Sequence, residues 1–191
     1  MDDTRQRIVQ ATYACVARRG VAKTTVEDVA REGGMSRATV YRAFPGGRDE
    51  LINATVAWAT LDFFGHLYER IQGAGSLEEV MERGSMFAYR SILDHEVLQR
   101  VMQTEPDKLL PILTVESNRI RAGIAEVLAP YLEARGLADG VVLDDAADFL
   151  ARMVLSYISA PGRWDLENPD QVARLVRSEL LAGVVVPVRT R

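Results

Sequence analysis

Apolar residues recur at intervals of three and four along almost the whole chain, and the recurrence stops at glycines and prolines. Such spacing turns one face of a 3.6-residue helix toward a core. Ile8, Thr12, Cys15 and Val16 form a stripe that ends at Gly20, and Asp3 followed by Gln6 has the form of a capping box, so a first helix is predicted over 3–19. Thr25 caps a second, with Val26, Val29 and Ala30 on one face, stopped after two turns by Gly33 and Gly34. The third is short. In "MSRATVYRAFPGGRDEL", residues 35–51, Ser36 can cap a helix and Pro45-Gly46-Gly47 stops it. About two turns fit between them, well under the roughly 12–15 residues an isolated helix needs. Its support must come from neighbours. Val40 and Phe44, four apart, fall on one face and are expected to pack on Val26, Val29 and the first helix, leaving Arg37, Ala38, Thr39, Tyr41 and Arg42 outward.

Further on, a helix begins near Arg48, with Asp49 and Glu50 in its first turn where acids suit the macrodipole. It runs through Leu51, Thr55, Trp58, Ala59, Asp62 and Phe63 to Gly73-Ala74-Gly75. Ser76 with Glu79 is another capping box, opening a helix with two apolar stripes, Leu77/Val80/Met81/Ala88/Ile92 and Met86/Tyr89/Leu93, as befits a helix buried between neighbours. A short helix at 96–103 precedes Pro106, and Pro111 lies near the start of a long one carrying Leu113, Ile120, Ile124, Val127, Leu128 and Tyr131 up to Gly136. Residues 144–160 give the cleanest periodicity, from Ala146, Phe149 and Leu150 to Met153, Val154, Tyr157 and Ile158, with Pro161-Gly162 as the stop. Asn168 as cap, Pro169 at the first helical position and Gln171 closing a box open the last helix, which carries Val172, Leu175, Val176 and Leu180 to Gly183. No segment reads as a strand, although "GVVVPV" after Gly183 could be extended. The prediction is an all-α chain.

At 191 residues, 48% apolar and with 7 prolines, the chain has the composition of one compact unit or two small lobes. No basic segment followed by an apolar core opens it, and its apolar runs stop short of the roughly 18 residues a membrane span requires, so it reads as soluble, unprocessed and without a membrane partner. Cys15, the single cysteine, fits a reducing compartment and plain core packing. The net charge of −4 argues at first against a nucleic-acid partner, but the charge is unevenly placed. Residues 1–50 hold nine Lys+Arg against seven Asp+Glu, a balance of +2, whereas residues 51–191 hold fourteen against twenty, a balance of −6. An anionic partner belongs at the N-terminus.

Two short helices joined by "EGGM", the second presenting cationic and polar residues outward, form a helix-turn-helix whose second helix enters the DNA major groove. Arg37 and Arg42 can pair bidentately with guanine O6 and N7, Thr39 can reach a base edge or phosphate, and Ala38 can touch a thymine methyl. Thr25, Tyr41 and Arg48 are better placed for phosphate oxygens, which fix register without reading sequence.

The stretch "TTVEDVAREGGMSRATVYRAFPGGRDELI", residues 24–52, resembles the DNA-binding domain of TetR-like transcriptional regulators, and the order of helices over the rest of the chain is similar to that family. The resemblance implies an N-terminal three-helix DNA-binding domain over 1–50 and a C-terminal helical bundle over 51–191 for ligand binding and dimerisation, about nine helices in all. It implies that Thr25, Tyr41 and Arg48 hold phosphate, that Arg37, Thr39 and Arg42 face bases, and that Val29, Ala30, Val40 and Phe44 are core. Gly33-Gly34-Met35 stands where the family commonly has Ala-Gly-Val, Ala43 where it has histidine, and Val16 where it has an aromatic. Ala43 removes one phosphate contact.

The family also implies a homodimer through the last two helices and a ligand cavity in the C-terminal lobe. Two heads about 34–36 Å apart can address successive major-groove faces of a near-palindromic operator in double-stranded DNA, which calls for a dimer surface. The apolar faces at 144–160 and 169–182 could supply it, although packing within one subunit gives the same stripes. For a small-molecule effector, Trp58, Met86, Tyr89, Met102, Phe149 and Met153 would make an adaptable apolar cavity, with Ser117 and Asn118 orienting an oxygen. Stripes of this kind are more often ordinary core, so the resemblance carries the pocket.

The competing class is an enzyme. The chain lacks G-x-S-x-G and a P-loop, "GAGS" at 73–76 has Glu78 where a third glycine would fall, and "HEVLQ" at 95–99 has Gln99 in place of the second histidine of a zinc helix. Only His66 and His95 are present, and Asp144, Asp145 and Asp148 suit the start of a helix, so no catalytic residue, metal or cofactor is assigned. The expectation is a cytoplasmic, homodimeric regulator, a repressor released by a small apolar effector. The alternative is a helical ligand-binding dimer or an enzyme without specific DNA binding.

Overall fold

Capping chemistry sets the helix boundaries. Asp2 accepts from the Thr4 amide at 2.8 Å and opens α1 (Asp3–Arg19), one residue ahead of the expected Asp3 cap. Thr25 and Asp28 form both arms of a capping box at α2 (Val26–Glu32), and Ser36 Oγ accepts from the Thr39 amide at 3.1 Å to open α3 (Arg37–Ala43). Then come α4 (Gly47–Ile71), α5 (Leu77–Asp94), α6 (Glu96–Thr104), α7 (Pro106–Arg135), α8 (Leu143–Ser159) and α9 (Pro169–Leu175), which continues into a π-helical turn, Val176–Leu180. At α9, Asn168 accepts from the Asp170 and Gln171 amides, but Gln171 Oε1 takes the Asp165 amide at 3.1 Å, so the reciprocal arm of that predicted box is not made.

The computed structural model describes residues 2–187, with side chains described except at 108–116. Among the described residues every regular element is helical, as the periodicity predicts. α7 begins at Pro106, so Pro111 falls inside it; the side chains of Pro111 and Leu113 lie outside the described ones. The segment after Gly183 forms a single antiparallel bridge, Leu137 to Val185, and buries Val184 and Val185. No helix is long and apolar enough to cross a membrane among the described residues.

The chain divides into two units. The first holds residues up to Phe63 together with His95–Glu116. Its core joins Ile8, Val9, Ala11 and Cys15 of α1, Val26, Val29 and Ala30 of α2, Val40 of α3, Phe44 at the C-cap of α3, and Leu51 of α4. Val40 and Phe44 are both 0% exposed, and the Arg5 guanidinium lies 4.1 Å from the Phe44 ring centroid. Burying each such side chain contributes roughly 1.5–3 kcal/mol, which offsets the nucleation cost that makes a seven-residue helix unstable alone. A second cluster joins Val16, Val21 and Ile52 to Val101, Val97 and Leu98 of α6. Arg100 donates to the Ala17 carbonyl at 2.7 Å and Glu105, the C-cap of α6, accepts from the Ala22 amide at 2.7 Å, so α6 and its cap are fastened to α1 and the α1–α2 loop.

The second unit holds Phe64–Asp94 and the chain from Ser117. There α5 packs against α8, α9 and the π-helical turn, burying Leu77, Met81, Leu150, Leu175 and Leu180. Asp148, one of the three acids at the start of α8, is paired with Arg121 and with Arg152, the latter at 2.7 Å.

Candidate nucleic-acid interface

Val40 of α3 and Phe44 at its C-cap, both fully buried, turn the other face of the helix outward. Arg37, Ala38, Tyr41 and Arg42 are exposed and Thr39 is half-buried, with Thr39 Oγ1 3.0 Å from Ser36 Oγ at the cap. Tyr41 keeps 48% exposure, and its ring edge passes Gly47, where a Cβ would lie 3.4 Å away. Gly47 has φ +64°, a conformation glycine takes without strain, so the α3–α4 turn is both tight and close to the tyrosine.

The two arginines of this face differ. Arg42 has no hydrogen-bond or ion-pair partner among the described residues, whereas Arg37 donates through Nη1 to Glu27 Oε1 of α2. That contact holds the Glu27 carboxyl below its usual range, with the Arg37 hydrogen bond as the leading cause. Thr25 Oγ1 lies 2.7 Å from Asp28 Oδ2 and 3.2 Å from the Asp28 amide, so its hydroxyl is engaged in the α2 cap. Asp28 is also paired with Arg19 at 2.5 Å. The Thr25 hydroxyl first, and then Arg19 against some desolvation, hold the Asp28 carboxyl below the ordinary range.

Arg48, expected at phosphate, is engaged within the protein. Its Nε donates to the Thr24 carbonyl at 2.9 Å, its Nη2 to the Val21 carbonyl at 2.5 Å, and its Nη1 meets Asp49 at 3.2 Å. The side chain therefore braces the loop that presents Lys23 and Thr25. Two residues escaped the sequence reading. Lys23, exposed and without a partner among the described residues, adds a cation beside Thr25, and Glu27 is the counter-ion of Arg37. Lys23 was legible in its neighbours Thr24 and Thr25; Glu27 was not, because its partner is ten positions away on another helix.

In the turn, a Cβ on Gly33 would fall 2.7 Å from Met35 Cε and 3.3 Å from the Val29 carbonyl. The longer Met35 side chain thus fills the space that an alanine methyl would take. Ala43 presents its carbonyl to Arg5.

The residues expected around an effector fall in different units. Trp58 lies in the first, edge-on to Tyr13 with ring centroids 5.8 Å apart and packed on the reading-head core, and Met102 is exposed on α6. The second unit contains Met86 and Tyr89 on α5 and Met153 on α8, all half-buried, with Phe149 and Ser117 exposed.

A buried-anchor helix presenting arginines beyond a glycine turn, in a chain that also holds a further helical unit, defines a helix-turn-helix regulator. Comparison with known proteins agrees. Residues 8–55 match the family described as bacterial regulatory proteins, tetR family, and residues 78–178 match the bacterial tetracyclin repressor C-terminal domain. An HTH-type transcriptional regulator of Mycobacterium tuberculosis is 27% identical over 209 aligned residues, covering 100% of both chains. The HTH-type regulator AlkX of the same species is 27% identical over 90% of this chain and 82% of its own. Among solved structures, the TetR family repressor AlkX of Dietzia sp., implicated in biodegradation of n-alkanes, is 26% identical with a TM-score of 0.62, covering 93% of this chain and 95% of its own. A Mesorhizobium loti structure shares the fold at 20% identity and a TM-score of 0.66, covering 96% of this chain and 97% of its own. The chain belongs to the TetR family. It is a DNA-binding transcriptional regulator of the helix-turn-helix type.

Proposed function

We propose that the protein is a homodimeric repressor that reads a near-palindromic operator through α3 and leaves it on binding a small, largely apolar effector. The observation that carries the reading is the partition of α3. Val40 and the adjoining Phe44 are fully buried, while Arg37, Tyr41 and Arg42 stand outward on an element held rigidly by a core. Arg37 and Arg42 read guanine edges, Thr39 reaches a base edge or phosphate, and Tyr41 and Lys23 meet phosphate, while the Thr25 hydroxyl, which donates to Asp28, holds the α2 cap beside them. Arg48 serves by holding the α1–α2 loop, leaving at most its spare Nη hydrogens for a phosphate.

For the effector, support comes from half-buried Met86, Tyr89 and Met153 in the second unit and from the relation to a repressor implicated in n-alkane biodegradation. Coupling runs as a population shift: an effector that fits only a conformation with displaced heads lowers operator affinity, and operator weakens effector binding equally. α6, packed on the α1–α2 loop and continuous in sequence with α5 and α7, is the element positioned to carry it. Dimerisation is assigned to α8 and the segment from α9 through the π-helical turn.

Selection of random duplex DNA on the purified protein, followed by affinity against scrambled duplex over a salt series, tests the reading. A two-fold symmetric site bound far above scrambled DNA is expected. Displacement of that duplex by dodecane or 1-dodecanol tests the effector. Recovery of no sequence, with only salt-sensitive nonspecific binding, would overturn the proposal.

A further inference from the structure

Of the two arginines offered to the groove, one is free and one is held. Arg42 has no partner among the described residues, while Arg37 is tied through one terminal nitrogen to Glu27, which sits on the other helix of the motif. Both partners remain open to solvent, with side-chain exposures of 65% for Arg37 and 49% for Glu27. An exposed ion pair adds little to stability, and a carboxylate on a surface that meets phosphates is repelled by them. The pair therefore has a cost at this place and calls for another account.

The guanidinium supplies one. It is planar and has two usable edges, one formed by Nη1 and Nη2 and one by Nε and Nη2. Engaging Nη1 on Glu27 uses the first edge and leaves Nε and Nη2, which have no partner among the described residues, available as a fork whose freedom the tie restricts. A fork of two parallel N–H donors matches guanine O6 and N7. Immobilising it before contact removes part of the side-chain entropy that a free arginine loses on binding. The same tie makes Arg37 a poor phosphate ligand, since reaching a backbone oxygen would break the pair and leave Glu27 facing the phosphates uncompensated.

We infer that Glu27 is a specificity-determining positioning residue that buttresses Arg37, orienting its Nε/Nη2 edge onto a guanine and penalising contact with phosphate or with another base. The inference rests on the proposed base-reading role of Arg37. Arg42, without a buttress, contributes affinity with weaker discrimination.

The test uses the full-length protein, the duplex recovered by selection, a set of duplexes with each guanine of its half-site replaced in turn, and scrambled duplex. Glu27→Gln keeps the shape of an exposed side chain and removes the charge. It is expected to raise affinity for scrambled duplex and to lower discrimination at one guanine by roughly two- to fivefold, the equivalent of an exposed ion pair. Arg37→Ala should relax preference at that same guanine, and adding Glu27→Gln to Arg37→Ala should leave discrimination there unchanged, as a coupled pair requires. Glu27→Asp, shorter but charged, should keep low affinity for scrambled duplex while losing part of the discrimination. If Arg37→Ala relaxes preference but Glu27→Gln shifts all duplexes by one factor, the buttress is overturned and base reading stands. If Arg37→Ala leaves preference unchanged, base reading by Arg37 fails and the buttress with it.

Discussion

Arg48 gives the sharpest division between holding the protein and holding DNA. In Arg48→Ala the carbonyls of Val21 and Thr24 lose donors at 2.5 and 2.9 Å. Hydrogen bonds from a charged donor contribute about 1.5–3 kcal/mol each when desolvated. The Arg48 side chain keeps 37% exposure, so water replaces part of the loss and a total of about 2 kcal/mol is the reasoned cost. Were that cost confined to the α1–α2 loop, the loop would open about thirtyfold more often. Hydrogen–deuterium exchange of residues 20–26 reads this directly, and Arg48→Lys, with a single-point ammonium, should recover about half of the free energy. Operator affinity should fall only by the fraction of molecules with the loop open, and the slope of affinity against salt should hold. An anchor on phosphate gives the opposite pattern, a slope smaller by about one unit with unchanged exchange in the loop. That result would refute the brace.

Other consequences follow from the same head. Phe44→Ala empties a site that is 0% exposed and should cost about 3–5 kcal/mol; calorimetry should show loss of the reading-head transition, and an unchanged melt would contradict the core described. Gly33→Ala alone should be close to neutral because Met35 must move, whereas Gly33→Ala with Met35→Val should exceed the parent by up to about 1 kcal/mol in denaturant melts, since Gly33 already has αR angles. The depressed Asp28 carboxyl sets a direction with pH: its contribution is complete above the unfolded aspartate value of about 4 and disappears as pH falls through its lower folded value. Helicity of the parent and of Asp28→Asn, followed by circular dichroism between pH 2 and 6, should therefore converge in acid and separate above it; parallel curves would remove Asp28 from the acid response.

The helices were legible because their signals are local. A cap such as Ser36, a stripe such as Val40 and Phe44, and a stop such as Pro45-Gly46-Gly47 act within a turn or two of the backbone they control. The outward placement of Arg37, Tyr41 and Arg42 followed from the same periodicity, since burying one side of so short a helix leaves the other side out. The sequence by itself thus determined the all-helical class, the helix-turn-helix and its presenting face.

What each polar group does there was decided only by tertiary structure. Arg48 meets carbonyls 24 and 27 residues away, Glu27 and Arg37 meet across the turn between helices, and Arg100 of α6 reaches back 83 residues to Ala17 of α1. A guanidinium is equally ready for a carbonyl, a carboxylate or a phosphate, so its type and neighbours in sequence leave the choice open. The candidate effector residues met the same limit, because helical spacing makes Trp58 and Met153 equally apolar while the fold sets one on the reading-head core and the other in the second unit. Periodicity specifies which way a side chain faces along its own helix; only packing of distant segments specifies what it finds there.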